Sequence, residues 1–213
     1  MDNNVSNNQA AVIGTIEDEF VFNHEIYAEK FYTCTVRVPR LSGTSDDIRV
    51  MVSERLIMDG EYNVGDMVEV TGQFRSYNSY ENGDNRLVLT VFAKDICHYD
   101  EDENKNPNIL YLNGYICKEP VYRKTPLGRE IADLLLAVNR PYGKSDYIPC
   151  ICWGRNARYA EHFKVGERCA IWGRIQSREY MKKLDEENVE KRVAFEVSVS
   201  KLELLEEARE SIV

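Results

Sequence analysis

RCAIWGRIQ, residues 168–176, alternates small apolar positions with polar or aromatic ones. Cys169, Ile171 and Ile175 fall on one parity, while Trp172 and Arg174 fall on the other. Side chains that alternate in this way point to opposite faces of a β-strand. The stretch therefore predicts a strand with one face in a hydrophobic core and the other face towards solvent.

Similar patterns on both sides of this stretch predict four more strands. They lie at Leu112–Cys117, Glu130–Val138, Tyr147–Trp153 and around Val193–Val199. One segment, Asn156–Phe163, has helical spacing and falls between the third and fourth strands. Three strands, a short helix and two strands is the order of the OB-fold, a five-stranded Greek-key barrel. We therefore predict an all-β domain.

The N-terminal half repeats this domain. Gly14, Arg40 and Arg55 match Gly114, Arg140 and Arg155 at a constant shift of 100 residues, which becomes 101 where Gly72 matches Gly173. A repeat of this length indicates a duplicated domain, so the chain is predicted to hold two tandem OB-folds. The helix of the first is expected near Ser53–Asp59. The predicted divisions are a flexible arm (1–10), an acidic first OB-fold (11–99), a linker (100–107), a second OB-fold (108–205) and an acidic C-terminal tail (206–213).

Charge is divided unequally between the two halves. Residues 1–106 hold 9 Lys and Arg against 20 Asp and Glu, whereas residues 107–213 hold 18 against 16. The net charges are therefore −11 and +2, and asymmetry of this kind suggests a division of labour.

The six cysteines show no zinc-ligand spacing, and the three histidines stand apart from them. We expect no metal, cofactor or catalytic site. Cys150 and Cys152 share a strand face, as buried apolar residues of a reducing compartment would. The sequence has no secretory signal pattern and no apolar run long enough to span a bilayer. A cytoplasmic protein without a membrane partner is expected.

Aromatic and basic side chains gather on the outward parities of the second domain. Bases of single-stranded nucleic acid stack on such rings and the cations contact phosphates. The candidate binding residues are Tyr142, Tyr147, Trp153, Trp172, Tyr180, Arg123, Arg140, Arg155, Arg174 and Arg178.

Each signal also has a structural interpretation. Trp153 could close the barrel core, Trp172 could lie in a subunit interface, and the basic residues could be ordinary solvated surface. The first domain serves as a comparison, because it has small or polar residues at the positions of four of these rings. Tyr142 aligns with Ser42, Tyr147 with Asp47, Trp153 with Ser53 and Trp172 with Thr71. We therefore expect the second domain to bind the strand, since the acidic first domain should repel phosphates.

Residues 109–205 contain motifs that resemble the bacterial-type single-stranded DNA-binding protein family. They are the runs 112–120 (LNGYICKEP), 122–128 (YRKTPLG), 136–142 (LAVNRPY), 148–154 (IPCICWG) and 173–180 (GRIQSREY). The resemblance implies that Tyr142, Tyr147, Trp153 and Tyr180 stack bases and that Arg178 belongs to a basic stretch. It also implies an assembly of four barrels, which two-barrel chains would reach as a homodimer. Trp172 departs from the family, which has an acidic residue there. The tail lacks the Asp-rich, Phe-ended tip that recruits partners in the family.

Sequence-independent binding of single-stranded DNA, in replication, recombination and repair, is the leading hypothesis. The alternative is an OB-fold interaction module that contacts replication proteins and touches DNA little. An enzyme, such as a nuclease, is not expected because no convergent catalytic cluster is found in the sequence.

Overall fold

A computed structural model describes residues 7–58, 60–81, 84–100, 105–183 and 189–206. The first half comprises β1 Asn8–Ile16, β2 Val21–Ile26, β3 Glu29–Pro39, β4 Ser45–Ser53, α1 Glu54–Ile57, β5 Met67–Glu81 and β6 Asp84–His98. The second half comprises β7 Asn108–Ile116, β8 Val121–Lys124, β9 Glu130–Asn139, a 3-10 turn Pro141–Gly143, β10 Ser145–Trp153, α2 Arg155–Ala160, β11 Arg168–Lys183 and β12 Val189–Leu204.

The strands of the first half close into a barrel in the order β3-β4-β6-β5-β1. β1 closes it by pairing with both β5 and β3, with Ile16 opposite Val36. β4 and β6 run parallel, with Val50 beside Val91. Because α1 lies between the third and fourth barrel strands, this is the predicted five-stranded OB-fold.

The second half has the same topology. Its barrel order is β9-β10-β12-β11-β7, closed where Ile116 of β7 pairs with Leu136 of β9. β10 and β12 run parallel, with Cys150 beside Val197, and α2 lies between β10 and β11. The prediction of two tandem all-β OB-folds is confirmed.

Each barrel carries a sixth strand that the sequence did not indicate. β2 pairs with β3, and β8 with β9, at the edge of each sheet. Both are short and largely exposed, so they lack the buried alternating residues by which a strand is recognised. The two-residue turn from β2 to β3 also lacks a turn signal, since Tyr27 and Ala28 adopt left-handed φ values of 51° and 62°, where Asn and Gly are usual.

The barrel interiors are apolar. Val36, Ile48 and Val50 of the first barrel, and Leu136, Ile148 and Cys152 of the second, are fully or almost fully buried. Burial of each such aliphatic side chain stabilises the fold by about 1.5–3 kcal/mol.

Glycine is required where the barrels close. A Cβ on Gly14 would lie 2.2 Å from the carbonyl oxygen of Arg37, and one on Gly114 would lie 2.4 Å from that of Ala137. The repeated glycines therefore let β1 and β7 approach the backbone of the neighbouring strand.

The chain divides into two compact units. The first-barrel unit contains residues 9–110 and 175–196, and the second-barrel unit, within the described residues, contains 7–8, 111–174 and 197–206. The outer halves of β11 and β12 thus belong to the first-barrel unit, although the predicted division assigned them to the second domain. β1 begins at Asn8, inside the stretch predicted as an arm. Residues 1–6 of that arm, Asp59, 101–104 of the linker and 207–213 of the tail lie outside the described residues.

None of the six cysteines forms a disulfide, and only Cys97 is exposed. Burial raises the pKa of the Cys34, Cys152 and Cys169 thiols to about 12. These thiols are therefore protonated at neutral pH and pack as small apolar groups. Among the described helices, none has the length and apolar character needed to cross a bilayer.

Candidate nucleic-acid interface

The outer face of β10 carries two exposed aromatic rings. Among the rings on the strands of the second-barrel unit, these two are the most exposed. Tyr147 is 50% exposed and Trp153 is 39% exposed, while Ile151 between them is covered at 4%. The alternate residues Ile148 and Cys152 are fully buried in the barrel. Strand alternation therefore separates a core face from an aromatic face, and Trp153 is not sealed in the core.

Trp172 lies on β11, separated from β10 by β12 in the sheet. Its ring packs against Tyr111, with 5.2 Å between the ring centroids. The ammonium group of Lys201 lies 4.4 Å from the centre of the same ring, as in a cation–π contact. Trp172 is half-buried by these neighbours, so it offers less free ring surface than Trp153.

Tyr142 projects from the turn between β9 and β10 and is 99% exposed. Its φ of 65° is left-handed, in the middle of the 3-10 turn Pro141–Gly143. The base of this turn is closed by a hydrogen bond from the Arg140 amide to the Lys144 carbonyl. The Arg140 guanidinium also donates to fully buried Asp146 at 2.8 Å. Arg140 therefore shapes the turn that presents Tyr142.

Three of the five candidate arginines are ion-paired with carboxylates. Arg123 donates to Asp133 at 2.8 Å, Arg140 pairs with Asp146, and Arg178 lies 3.5 Å from Glu196. Arg155, the first residue of α2, is exposed, and Arg174 is half-buried. The Arg123–Asp133 pair is exposed and therefore weak, so it lowers the local positive potential without preventing a phosphate contact, whereas Arg140 and Arg178 are paired with buried carboxylates.

Tyr180 and Arg178 stand on the outer half of β11, inside the first-barrel unit. Tyr180 is 36% exposed, and the Arg178 guanidinium lies 5.9 Å from the centre of its ring. Glu196 on β12 accepts hydrogen bonds from Arg178 and, at 2.8 Å, from the Gln176 amide. The hairpin thus carries one ring and one cation in a fixed arrangement.

A buried carboxylate that the sequence analysis missed holds the base of this hairpin. Asp46 is fully buried and accepts hydrogen bonds from the Ser177 amide at 2.6 Å and the Ser177 hydroxyl at 2.9 Å. The Arg40 guanidinium donates to both Asp46 oxygens and, at 3.0 Å, to the Ser177 carbonyl. Residues 131 positions apart in sequence are therefore joined by one buried ionic cluster.

The cluster shifts the pKa of Asp46. Burial acts to raise that pKa, but the hydrogen bonds from Arg40 and Ser177 and the Arg40 charge outweigh it and hold the pKa below its usual value. A signal for the cluster exists in the repeat, since Arg40 and Asp46 recur as Arg140 and Asp146 at the same spacing.

The first barrel also has an aromatic surface, contrary to the interpretation from aligned positions. The rings of His24 and Phe31 stack at 5.0 Å, and those of Phe31 and Phe92 lie 5.6 Å apart. The Arg75 guanidinium lies 3.9 Å from the centre of the Phe92 ring. One-to-one alignment missed this surface because its rings occupy other positions. In the described parts of both barrels, no three His, Cys, Asp or Glu side chains gather as a metal site would require.

The fold and these surfaces define a protein built of tandem OB-folds with aromatic outer faces. Residues 107–205 match the sequence profile of the single-strand binding protein family. The single-stranded DNA-binding protein of Halalkalibacterium halodurans is 36% identical over 80 residues, covering 34% of this chain and 48% of that protein. Single-stranded DNA-binding protein 2 of Listeria monocytogenes is 35% identical over 107 residues, covering 46% of this chain and 64% of that protein.

Among solved structures, the single-stranded DNA-binding protein of Thermus aquaticus superposes with a TM-score of 0.75 at 19% identity. The match covers 94% of this chain and 93% of the Thermus chain, which supports the fold. The second barrel therefore resembles the single-strand binding protein family, and the superposition supports a fold of two OB-folds. The chain spans about half the length of the first curated relatives that it matches. The family consists of non-enzymatic binding proteins, in agreement with the prediction that the chain is not an enzyme.

Proposed function

We propose that this protein binds single-stranded DNA without sequence preference, mainly through its second OB-fold. Bases stack on Tyr142, Tyr147 and Trp153, with Trp172 and Tyr180 at the margins. The phosphates are contacted by basic side chains. Arg155 and Arg174 contribute, Arg123 and Arg178 share their carboxylate partners with phosphate, and Arg140, held by buried Asp146, positions the turn that carries Tyr142. The curated relatives that this chain matches are named for the same activity.

One observation supports this proposal above the others. Tyr147 and Trp153 stand exposed on the same face of β10, although both are large rings that a monomeric barrel would bury if they served only its core. Stacking on rings of this kind contributes about 1–3 kcal/mol per base and tolerates any sequence. The surface therefore suits a ligand with successive unpaired bases.

Titration with poly-dT while tryptophan fluorescence is recorded tests the proposal. Both tryptophans lie in the second barrel, so a Trp172→Phe variant leaves Trp153 as the reporter, and a Trp153→Phe variant leaves Trp172. We expect strong quenching of Trp153 emission at low salt and weaker quenching of Trp172. Unquenched Trp153 emission at low salt, with no retardation of the DNA, would contradict the proposal.

Two further elements complete the proposed function. The functional domains are the OB-folds at 11–99 and 108–205, and two chains associate to give four barrels. The biological setting is replication, recombination and repair in the cytoplasm. Mass measurement in solution, with and without oligo-dT, tests the dimer.

A protein-interaction module is the second candidate, and the β2–β3 hairpin favours it. Val21, Phe22, Ile26 and Tyr27 are all exposed there, in the half of the chain (residues 1–106) that has a net charge of −11. Exposed apolar clusters with polar surroundings mark interaction sites. A pull-down with the intact chain tests this candidate. Retention of replication proteins by the intact chain, and their loss in the Phe22→Ser/Tyr27→Ser double variant, would favour it if the chain also failed to bind DNA.

A further inference from the structure

The outer halves of β11 and β12, residues 175–183 and 189–196, are fixed to the first barrel through backbone groups, and we call them the outer hairpin. The Ser177 amide donates to Asp46 at 2.6 Å, and the Ser177 hydroxyl donates to the same carboxylate oxygen at 2.9 Å. The Ser177 carbonyl accepts a hydrogen bond from Arg40 at 3.0 Å. Because hydrogen bonds to charged groups are strong and directional, these three bonds fix the position and orientation of β11 at Ser177.

Two further contacts within the first-barrel unit hold the outer hairpin. The Asn108 side chain donates to the Ile175 carbonyl at 2.8 Å and accepts a hydrogen bond from the Ile175 amide at 2.9 Å. On the other strand, the Arg86 guanidinium donates to the Val193 carbonyl at 3.4 Å. Both strands of the outer hairpin are therefore held through their backbones.

The acceptor for Ser177 is built into the turn between β3 and β4. The Arg40 amide donates to the Thr44 carbonyl at 2.8 Å and closes that turn, and the Arg40 guanidinium pairs with Asp46 across it. The same pair recurs in the second barrel, where Arg140 donates to Asp146 at 2.8 Å. Because the pair forms in both copies of the domain, it belongs to the turn itself and gives Asp46 a fixed orientation for a further donor.

The face of β11 opposite Ser177 carries the candidate binding groups Arg178 and Tyr180, because side chains alternate along a strand. Arg178 donates to buried Glu196 of β12 at 3.5 Å, and its guanidinium lies 5.9 Å from the centre of the Tyr180 ring. Tyr180 stands three residues, about 10 Å, along the strand from Ser177. A change in the direction of β11 at Ser177 would therefore displace both the ring and the cation.

We propose that buried Asp46, held by Arg40, is a positioning residue for nucleic-acid binding. It fixes the outer hairpin in the orientation that presents Arg178 and Tyr180 to the single strand. This inference rests on the proposed function, since it assumes a single-stranded ligand. It gives the acidic barrel a part in binding that requires no contact between Asp46 and the ligand.

The sign of the effect of Asp46→Asn distinguishes positioning from charge. Loss of a negative charge should by itself strengthen the binding of a polyanion, whereas release of the outer hairpin should weaken it. Asp47→Asn is the matched control, because Asp47 is the next residue of β4 and is exposed and paired with Arg37 at the surface. In anisotropy titrations with labelled oligo-dT, we expect Asp46→Asn to lose affinity by about 5- to 150-fold, the range for one base stack. Asp47→Asn should bind at least as tightly as the unaltered chain.

A double-mutant cycle tests whether Asp46 acts through the outer hairpin. In a chain that already carries Arg178→Ala and Tyr180→Ala, Asp46→Asn should cause less than about a twofold further loss, because the groups that it positions are gone. An equal loss in both backgrounds would show that Asp46 acts elsewhere and would overturn the inference. Ser177→Ala is a milder variant, which removes the hydroxyl donor and keeps the amide bond, and it should weaken binding by a smaller factor.

A nitroxide label on the outer hairpin gives a measurement without DNA. Met181 is exposed and adjacent to Tyr180, so Met181→Cys is labelled in a Cys97→Ser chain, which lacks the exposed cysteine. We expect Asp46→Asn and Ser177→Ala to make the label more mobile and Asp47→Asn to leave its spectrum unchanged. A spectrum that is the same in all four chains would show that the outer hairpin keeps its orientation without the cluster, and the inference would fail.

The outcomes separate this inference from the proposed function. If the unaltered chain fails to bind oligo-dT, the proposed function fails. If the unaltered chain binds and Trp153→Ala weakens it, but Asp46→Asn binds like Asp47→Asn with its circular dichroism preserved, only this inference fails. If the Arg178→Ala/Tyr180→Ala variant binds like the unaltered chain, the outer hairpin is not a DNA surface, and this inference again fails alone.

Discussion

At the scale of single residues, the two barrels carry different side chains at equivalent positions of the outer face. Trp153 stands on β10 opposite Ile131, whereas Ser53 stands on β4 opposite Phe31. Comparison of aligned positions shows that Ser53 replaces the tryptophan in the first barrel. It does not show that Phe31, on the neighbouring strand β3, supplies a ring on the same face.

Trp153→Ala should weaken oligo-dT binding by about 1–3 kcal/mol, because it removes one stacking ring from the outer face of β10. The ring is not sealed in the core, so the fold should persist. Trp153→Phe serves as the control and should retain most of the affinity. Anisotropy titrations measure both, and an alanine variant that binds as tightly as the unaltered chain would mean that Trp153 does not contact DNA.

Asp46→Asn should destabilise the chain by about 1–3 kcal/mol at neutral pH. The new amide group would place a donor against a donor of Arg40, which now bonds to both carboxylate oxygens. The folded pKa of Asp46 lies below its unfolded value of about 3.9, so its stabilising contribution is complete above that value and is lost as the pH falls through the folded pKa.

Urea unfolding between pH 7 and pH 2 measures this effect. The difference in unfolding free energy between the unaltered chain and Asp46→Asn should shrink in acid. Asp47→Asn is the control, since Asp47 is exposed and paired only at the surface, and its effect should stay within about 0.5 kcal/mol. A difference that does not change with pH would show that Asp46 does not titrate in this range.

At the scale of strands, barrel closure depends on the glycines that the copies share. Gly114→Ala would bring a Cβ within 2.4 Å of the Ala137 carbonyl oxygen, so β7 and β9 must separate. We expect a loss of about 3 kcal/mol in unfolding free energy, at the upper end for overpacking. Gly128→Ala is the comparison: its site is open, but its φ of 75° is left-handed, which costs about 1 kcal/mol. Thermal unfolding measures both variants. Equal losses of unfolding free energy in Gly114→Ala and Gly128→Ala would argue against a close approach of β7 to the Ala137 carbonyl.

The sequence predicted the strands that have one apolar face, because Ile148 and Cys152 alternate with Tyr147 and Trp153 as in a half-buried strand. It did not predict β2 and β8, since their side chains are mostly exposed and leave no apolar period. Ile151 has the same parity as Tyr147 and Trp153 but is only 4% exposed, which alternation alone does not predict.

The candidate site was predictable only in part, and the reason is strand register. Exposed Tyr142, Tyr147 and Trp153 follow from local alternation and turns. The hydrogen bond between Ser177 and Asp46, and the contact between the rings of Phe31 and Phe92, depend on which residues meet across strands. Alternation assigns a residue to a face of its strand, but it does not identify the partner on a strand that is distant in sequence, so these contacts could not be predicted.

At the scale of the whole molecule, duplication has produced one acidic and one nearly neutral half. Phosphate contacts should therefore arise mainly from the second barrel. Arg155→Ala should reduce the magnitude of the slope of log K against log salt by about 0.7, the value for one single-strand phosphate contact. Arg37→Ala, which alters an exposed arginine of the first barrel already paired with Glu17 and Asp47, should leave the slope unchanged. Equal slopes for the unaltered chain and Arg155→Ala would remove Arg155 from the interface.

The different exposure of the cysteines allows selective labelling of the protein. Cys97 on β6 is the exposed cysteine, while burial keeps Cys34, Cys152 and Cys169 protonated and out of reach. A maleimide dye at neutral pH should therefore label the acidic barrel at one main position, leaving both indoles of the other barrel unmodified. Energy transfer between indole and dye could then follow both halves of the unaltered polypeptide during a single titration.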